Sequence, residues 1–399
     1  MQTSLADFIK HTEQGKEADR ILRACVHCGF CNATCPTYQL LGDELDGPRG
    51  RIYLMKQVLE GHAPTRKTQL HLDRCLTCVN CETTCPSGVE YGKLVDIGRE
   101  LVDERVQRPL FERIQRRALR LVLPYPRRFA PLLRLGQLFR PLLPPSLKAK
   151  VPPRINAPAR PENTHPRKML ILEGCVQPAI DPAINAATAR VLGRLGISVI
   201  AAQGAGCCGA LSHHLSAHDE AKTFMKRNID SWWPHIEAGA EAVVMTASGC
   251  GSVVKDYGRI LQDDPAYRDK AATIAILTKD LSEVLSAEDT SGLKTNTPCR
   301  IAFHPPCTLQ HGQQIQGVIE KLLTDAGFEL LPVADNHLCC GSAGTYSIVQ
   351  ADLSQQLLDN KLNNLQKNDP QLIATANIGC LAHLRTKAKV PVAHWIELL

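Results

Sequence analysis

The sequence is short of aromatic residues and of long apolar runs, and these shortages exclude several classes of protein. Only 5% of its 399 residues are aromatic, and it has no stacking side chains or recognition motif typical of a nucleic-acid-binding protein. No run approaches the roughly eighteen apolar residues that cross a bilayer, and the first twenty residues lack the apolar core of an export signal. P-loop, G-x-S-x-G and H-E-x-x-H motifs are also missing. We therefore expect a cytoplasmic protein that binds no nucleic acid and holds no flavin of its own.

Cysteine, in contrast, is abundant, and eight of the 17 cysteines form two copies of the spacing C-x2-C-x2-C-x3-C-P. This run holds cubane iron–sulfur clusters in bacterial two-cluster ferredoxins, where the fourth cysteine of each run ligates the other cluster. The spacing therefore predicts two [4Fe-4S] clusters. Cluster I is expected on Cys25, Cys28, Cys31 and Cys85, and cluster II on Cys75, Cys78, Cys81 and Cys35.

Zinc and disulfide bonds are the alternatives for these eight cysteines. Tetrahedral zinc uses two C-x2-C pairs, whereas this chain has two tight quartets that each end in Cys-Pro. Structural disulfides need an oxidising compartment, which a cytoplasmic chain does not reach. The cubane clusters are therefore the leading interpretation.

Residues 1–104 are expected to form a mainly helical, ferredoxin-like domain around the two clusters. The apolar spacing predicts a helix from Arg49 to Gly61, between the two cysteine runs, and a mostly helical stretch from Gly92 to Arg120. The arginines of Asp46-Gly-Pro-Arg-Gly-Arg51 are expected to pack against their surroundings or to tune a nearby cluster.

Residues 105–165 differ in composition and are expected to be a basic connector. Between Arg105 and Lys150 lie ten arginines and two lysines against one acid, Glu112. The prolines forbid one long helix but allow short amphipathic pieces. Three roles stay open for this segment: a solvated connector, a docking site for a partner subunit, and peripheral contact with a membrane through residues 105–150.

The remainder of the chain is a repeat, with lobes predicted at 166–290 and 291–399. Four cysteines of the first copy recur in the second after 132, 132, 132 and 130 residues. They are Cys175, Cys207, Cys208 and Cys250, followed by Cys307, Cys339, Cys340 and Cys380. Short β-branched runs alternate with helical patterns, which predicts a parallel sheet with its cysteines at the carboxyl edge. The predicted fold class is therefore α+β multidomain, with a helical cluster domain and two α/β lobes.

The repeated cysteines resemble the CCG domain of heterodisulfide reductase subunits and of membrane-linked dehydrogenases. In the heterodisulfide reductase type, five thiolates hold a non-cubane four-iron cluster, but Val253 and His383 stand here where the fifth cysteine would be. Three interpretations stay open: further iron–sulfur clusters, a redox-active or zinc-binding thiol set, and buried cysteines without metal. His213, His214 and His304 are expected near the mouths of the lobes.

The whole chain resembles the iron–sulfur subunit of bacterial glycolate oxidase (glycolate dehydrogenase). The most specific parts are the segments Ala24–Lys56 and Cys75–Arg99, followed by the two CCG repeats. The resemblance implies an electron-transfer subunit without catalytic residues of its own, in which a flavoprotein partner oxidises the 2-hydroxy acid and membrane quinone accepts the electrons. It also implies peripheral association with the cytoplasmic face of the inner membrane.

Other functions share parts of this layout. Iron–sulfur subunits of glycerol-3-phosphate and lactate dehydrogenases have a similar organisation, so the residues alone do not identify the substrate. A thiol–disulfide reductase that uses the CCG cysteines is the alternative from another class, and a docking protein with purely structural clusters is the third.

Overall fold

The computed structural model describes residues 1–156, 158–161, 164–295 and 297–399, and the chain divides into two compact units. The first unit comprises Met1–Arg117 and His337–Lys361, and the second comprises Ala118–Asn336 and Leu362–Leu399. The segment around residues 337–361 thus belongs to the N-terminal unit although it is far away in sequence. Each unit is described separately below.

The first unit is built from helices around one apolar core. Helix Pro48–Leu59 begins with a proline, whose fixed φ suits the first helical turn, and it packs against helix Tyr91–Arg105. Met55, Leu59, Leu94 and Val95 are fully buried between them. The helices of this unit are Asp7–Lys10, Glu13–Ala24, Phe30–Ala33, Pro36–Leu41, Pro48–Leu59, Arg66–Asp73, Asn80–Thr83, Tyr91–Arg105 and Tyr346–Val349. Leu110–Val122 and Ala351–Gln366 begin in this unit.

Both helical predictions for this region are confirmed, with one interruption. The helix predicted from Arg49 to Gly61 spans Pro48–Leu59, and Gly61 follows with a φ of 96°, which ends it. The helical stretch predicted after Gly92 forms two helices, Tyr91–Arg105 and Leu110–Val122. Pro109 accounts for the break, because the residue before a proline disfavours helical backbone.

The second unit contains two four-stranded parallel sheets with the same strand order. The first sheet has the order β2-β1-β3-β4 and the second the order β6-β5-β7-β8. The strands are β1 Arg167–Ile171, β2 Ile197–Ile200, β3 Val243–Met245, β4 Thr278–Asp280, β5 Arg300–His304, β6 Glu329–Leu330, β7 Leu372–Thr375 and β8 Val392–His394. The two sheets therefore have the matching parallel topology that the repeat predicts.

Helices connect the strands, as parallel pairing requires. The predicted helices around Pro182–Gly196 and Gly317–Gly327 span Ala183–Arg194 and Val318–Asp325. The helices of this unit are Pro126–Phe139, Pro145–Lys148, Gln177–Ile180, Ala183–Arg194, Ala210–His214, His218–Glu237, Ser248–Lys255, Tyr257–Ile260, Arg268–Leu277, Leu281–Ser286, Val318–Asp325 and Ile378–Leu384, with a π-helical turn at Thr308–Gly312.

Buried polar contacts join the two sheets within the second unit. His394 Nε2, at the end of β8, lies 2.9 Å from the carbonyl oxygen of Thr246, which follows β3. Arg385 donates to the buried Asp181 over 2.7 Å, and the hydroxyls of Ser248 and Thr308 lie 2.8 Å apart. Because these groups are removed from water, each contact helps to specify how the two sheets meet.

His394 gives the fold a predictable pH dependence. Burial lowers the pKa of His394 to about 4, from an ordinary value of 6.5. The unfolded chain therefore binds a proton at this site in a pH range where the folded chain does not. We expect the free energy of unfolding to fall as the pH drops from 6.5 towards 4, by about 3 kcal/mol in total from this residue. Denaturant unfolding of wild type and His394→Gln across this range checks it: the variant should lose part of the slope, and equal slopes would contradict the assignment.

The basic connector forms separate short helices rather than one long one. Helix Leu110–Val122 and helix Pro126–Phe139 lie at the surface and have no fully buried residue, and Pro131 lies inside the second. Many of their large apolar side chains are exposed, namely Leu110, Phe111, Ile114, Leu121, Leu132, Leu135, Leu138 and Phe139. Within the described part of the chain, no helix is both long and apolar enough to traverse a bilayer.

Candidate functional site: two cysteine-lined cavities and the CCG thiols

The two N-terminal cysteine runs fold into loops with the same backbone twist. In the first loop, His27 and Gly29 have φ values of 62° and 88°, and in the second, Thr77 and Val79 have φ values of 53° and 49°. These four residues occupy equivalent positions, one residue before and one after the second cysteine of each run. Left-handed backbone costs a β-branched residue roughly 1–3 kcal/mol. The surrounding fold must therefore stabilise this conformation at Thr77 and Val79. In both loops the left-handed residues curve the backbone so that the cysteines face a common centre.

The first cavity, which we call cavity I, collects three cysteines from one run and the fourth from the other. Cys25, Cys28, Cys31 and Cys85 line it, and Cys81 also borders it. Burial raises the pKa of Cys31 to about 11, with further increases from the neighbouring Cys25 and Cys85. Burial likewise raises the pKa of Cys25. Thiols crowded in this way resist ionising together, unless a cation compensates the thiolate charge.

The second cavity, cavity II, has the reciprocal composition. Cys35, from the first run, lines it together with Cys75, Cys78 and Cys81. Burial, followed by the proximity of Cys78, Cys75 and Cys35, raises the pKa of Cys81 well above its usual value. The two fourth cysteines are therefore exchanged between the cavities, in the arrangement that the spacing predicts.

Cys75 differs from the other thiols because positive charge lies beside it. Burial opposes its ionisation most strongly, but Arg51, Arg99 and a hydrogen bond from the Tyr91 hydroxyl together lower its pKa. The Tyr91 oxygen lies 3.5 Å from Cys75 Sγ, and the Thr77 amide donates to the same sulfur over 3.4 Å. The pKa of Cys75 is thus lowered, whereas the pKa of Cys81 in the same cavity is raised.

Arg51 is the buried charge of this cavity, and its role was underestimated from the sequence. Its side chain is 1% exposed and its Nη1 lies 4.0 Å from Cys35 Sγ. It donates to the Thr37 hydroxyl over 3.1 Å and to the carbonyl oxygen of His71 over 2.7 Å. The buried Asp46 balances it at 3.4 Å. No sequence pattern distinguishes Arg51 from Arg49, which is half-buried and pairs with Glu44.

The spacing of the sulfur atoms disfavours zinc. Within the described residues, no three of these eight thiols have all their sulfur atoms within 4.8 Å of one another. Tetrahedral zinc with Zn–S bonds of 2.3 Å requires sulfur atoms about 3.8 Å apart. A cubane holds each thiolate on a separate iron and spaces them more widely. The donor set of each cavity, four soft thiolates, therefore fits a [4Fe-4S] cluster.

In the second unit, the four thiols of the first CCG segment come together as a chain of neighbours. Cys207 forms hydrogen bonds with Cys175 and Cys208, and Cys208 forms one with Cys250. These contacts, the Gly209 amide and the charge of Arg227 hold the pKa of Cys207 well below its usual range. The pKa values of Cys175 and Cys208 rise well above theirs, with hydrogen bonding to Cys207 as the first cause. One thiolate shared among four thiols is suited to metal binding or to thiol redox chemistry.

A glycine in left-handed conformation follows each adjacent cysteine pair and orients it. Gly209 has a φ of 89°, and its amide donates to Cys207 Sγ over 3.4 Å. Gly341, its counterpart in the repeat, has a φ of 86° and donates to Cys339 Sγ over the same distance. Both glycines therefore supply the tight backbone expected after each pair.

The expectation that no G-x-G-x-x-G run follows a strand is wrong, because Gly204–Gly209 has this spacing of a dinucleotide-binding turn and follows β2. Its two middle residues, Cys207 and Cys208, are buried, and the helix that follows, Ala210–His214, has five residues. A dinucleotide site needs a longer helix whose N-terminus faces the pyrophosphate. Here the glycine at the end of the run, Gly209, instead allows the backbone turn that follows Cys207 and Cys208.

The cysteines of the second CCG segment fall in both units. In the second unit, Cys307 precedes the π-helical turn, and the buried Cys380 lies on helix Ile378–Leu384, where Asn377 Nδ2 donates to its sulfur over 3.6 Å. In the first unit, Cys339 and Cys340 are both buried.

The histidines singled out in the sequence lie in the second unit. His213 is buried at the end of helix Ala210–His214, and its Nδ1 lies 3.1 Å from that of His218. The His214 ring lies 5.6 Å from the His213 ring. His304 is buried at the end of β5 and His383 is buried on helix Ile378–Leu384.

Comparison with known proteins identifies the parts of the chain. Residues 21–89 match the 4Fe-4S dicluster domain, and residues 169–255 and 301–385 match the cysteine-rich domain called CCG. These matches confirm that the chain is an iron–sulfur protein with a repeat.

Full-length similarity identifies the family. The chain is 56% identical to the glycolate oxidase iron-sulfur subunit of Escherichia coli (strain K12), over 100% of this chain and 98% of that protein. It is 31% identical to the probable glycolate oxidase iron-sulfur subunit of Bacillus subtilis (strain 168), over 98% of this chain and 95% of that protein. Lactate utilization protein A of Exiguobacterium sp. is 27% identical over 53% of this chain. The chain belongs to the family of glycolate oxidase iron–sulfur subunits.

Proposed function

We propose that this chain conducts electrons inside a glycolate oxidase complex, from a flavoprotein subunit that oxidises glycolate towards membrane quinone. The observation that carries the proposal is the pair of four-thiol cavities with exchanged fourth cysteines. Each cluster, when bound, carries one electron at a time. The chain's own residues supply the thiolates and place the buried Arg51 beside Cys35 of cavity II.

Each proposed ligand follows from the lining of its cavity. Cluster I is assigned to Cys25, Cys28, Cys31 and Cys85, and cluster II to Cys75, Cys78, Cys81 and Cys35. The proposed domains are those of the sequence: cluster domain 1–104, connector 105–165, and CCG lobes 166–290 and 291–399. The CCG cysteines of the first lobe, gathered around Cys207, are proposed to receive electrons from the cluster domain, with or without a cluster of their own.

An omission experiment tests the function. The flavoprotein alone should oxidise glycolate with a soluble dye as acceptor, but should reduce a quinone only when this chain is added. Quinone reduction at the same rate without the chain would contradict the proposal. The matched control is the same chain with its clusters removed by anaerobic chelation, which should restore nothing.

The Cys207 thiolate favours a second candidate function, thiol–disulfide reduction. A thiol whose pKa is held low is a better nucleophile towards a disulfide at neutral pH. Cys207→Ser distinguishes the two functions. Loss of disulfide turnover with intact glycolate oxidation supports the reductase, whereas loss of quinone reduction in the complex supports electron relay through the CCG thiols.

We also propose that the basic connector holds the complex on the cytoplasmic face of the inner membrane. Residues 105–150 carry a large excess of arginine, and several leucine and phenylalanine side chains of both connector helices are exposed. Basic helices with exposed apolar side chains bind anionic lipid surfaces.

Salt should release the chain from such a surface. We expect sedimentation with vesicles of anionic lipid at low salt and release at about 1 M salt, where charge attraction is screened within about 3 Å. The triple variant Arg127→Glu, Arg128→Glu and Arg134→Glu should stay in the supernatant, and Lys321→Glu, on another exposed helix, should bind like wild type. Binding that salt does not weaken would exclude an electrostatic membrane contact.

A further inference from the structure

The rim of cavity I carries exposed apolar side chains beside an exposed cluster cysteine. Cys28 is the exposed thiol among the eight N-terminal cysteines, the other seven being buried or half-buried. Val26 and Phe30, which line the same cavity, are 69% and 62% exposed. Tyr53 is 46% exposed, and its ring centre lies 6.4 Å from that of His27, another residue lining the cavity. Exposed apolar side chains grouped at one site are typical of a protein interface.

Cavity II has a different environment, because most of its cysteines are buried. Cys35, Cys75 and Cys81 are buried. Residues 337–361 of the same unit pack beside it: Asn80 Nδ2 donates to the carbonyl oxygen of His337 over 3.3 Å, and the Tyr346 hydroxyl donates to that of Arg74 over 3.1 Å.

The covering segment brings CCG cysteines towards cavity II. It carries the buried Cys339 and Cys340, and its Tyr346 hydroxyl donates to the carbonyl oxygen of Arg74, the residue before Cys75. Within the first unit, the next thiols after cavity II therefore belong to the chain itself. At Cys28, which is exposed within the described residues, cavity I is instead open to another molecule.

We infer that Val26, Phe30 and Tyr53, around Cys28, form the docking surface for the flavin-carrying subunit, so that electrons enter at cavity I and leave the first unit from cavity II. The inference rests on the proposed function. Oxidation of one glycolate leaves two electrons on the partner's flavin, and this chain takes them singly. Each cluster, when bound, would accept one electron per transfer, while the released protons would stay at the partner's site or in solvent and quinone would be the final oxidant.

Charge favours a protein partner over lipid at this rim. Arg49, which lines cavity I, is neutralised by Glu44 at 2.6 Å. An anionic lipid surface requires unpaired positive charge, whereas aromatic anchors within a neutral surface are characteristic of the centre of a protein interface. The rim therefore fits a subunit contact.

Phe30→Lys in the full-length chain tests the surface. We expect the variant to keep its iron content and its electron paramagnetic resonance spectrum after reduction with dithionite. Co-purification with the flavoprotein should be lost, and reduction by glycolate in the presence of the flavoprotein should slow by at least about tenfold. Ile276→Lys is the matched control, since Ile276 is 75% exposed on helix Arg268–Leu277, and it should behave as wild type.

Tyr53→Lys provides a second variant outside the cysteine loop, in case Phe30→Lys loses its cluster. Slow reduction by glycolate with intact clusters in either variant supports the surface. Reduction of both variants at the wild-type rate overturns it, and release of the chain from anionic vesicles by these substitutions would assign the rim to lipid and overturn it as well. If the wild-type chain itself is not reduced by glycolate and flavoprotein, the proposed function fails rather than the surface.

Discussion

Replacement of Cys85 by alanine should remove cluster I and leave cluster II in place. Cys85 is the fourth cysteine of the second run, yet it lines cavity I with Cys25, Cys28 and Cys31 of the first. A cluster that loses one of four thiolates loses its attachment at one iron. We expect anaerobically purified Cys85→Ala to lose about four irons per chain and to retain the electron paramagnetic resonance signal of one reduced cluster.

Cys35→Ala is the matched control, because it is the equivalent fourth cysteine of the first run. It lines cavity II and should remove the other cluster. The two variants should therefore give different residual spectra. The pairing would be wrong if Cys85→Ala behaved like Cys75→Ala, since the second run would then hold its own cluster.

Arg51→Met should destabilise the first unit and lower the reduction potential of cluster II. The guanidinium is fully enclosed by Thr37, Asp46, the carbonyl oxygen of His71 and Cys35. Removing one partner from a buried ion pair costs about 3–5 kcal/mol, and Arg74 and His71 remain to offset part of it at Asp46. We expect a loss of about 3 kcal/mol in anaerobic denaturant unfolding. The potential should fall because a cluster becomes more negative on reduction, and the nearby positive charge stabilises that state.

Arg49→Met is the control from the same helix. Arg49 pairs with Glu44, and both side chains are more than a third exposed, so its loss should cost less than about 1 kcal/mol. Redox titration monitored by electron paramagnetic resonance should show a shifted cluster II potential in Arg51→Met alone. Equal stabilities and equal cluster II potentials in the two variants would show that the buried Arg51 contributes no more to either quantity than the half-exposed Arg49.

The parts of this architecture that depend on local sequence were predictable. The cysteine spacing predicted which thiols lie together. Three cysteines at intervals of three residues share one loop, and in two-cluster ferredoxins the fourth cysteine of each run reaches the other cluster. The recurrence of Cys175, Cys207 and Cys250 after 132, 132 and 130 residues predicted two sheets with one strand order. Helix Pro48–Leu59 was predictable because its apolar spacing and its terminal signals agree.

The parts that depend on distant contacts were not. The assignment of residues 337–361 to the first unit rests on contacts such as Tyr346 to Arg74, between residues more than 250 positions apart. The importance of Arg51 also emerges only from burial, since Arg49 has the same side chain two residues away. Thr77 and Val79 adopt left-handed backbone against their β-branched preference, which only the surrounding fold enforces.

The central claim is that two clusters, each held by three cysteines of one run and the fourth cysteine of the other, carry electrons from glycolate. The most direct measurement is electron paramagnetic resonance of the intact complex, frozen after anaerobic addition of glycolate without an acceptor. We predict signals of reduced [4Fe-4S] clusters that approach two spins per chain and disappear when quinone is added. Clusters that dithionite reduces but glycolate leaves unreduced would contradict the account and assign them a structural role.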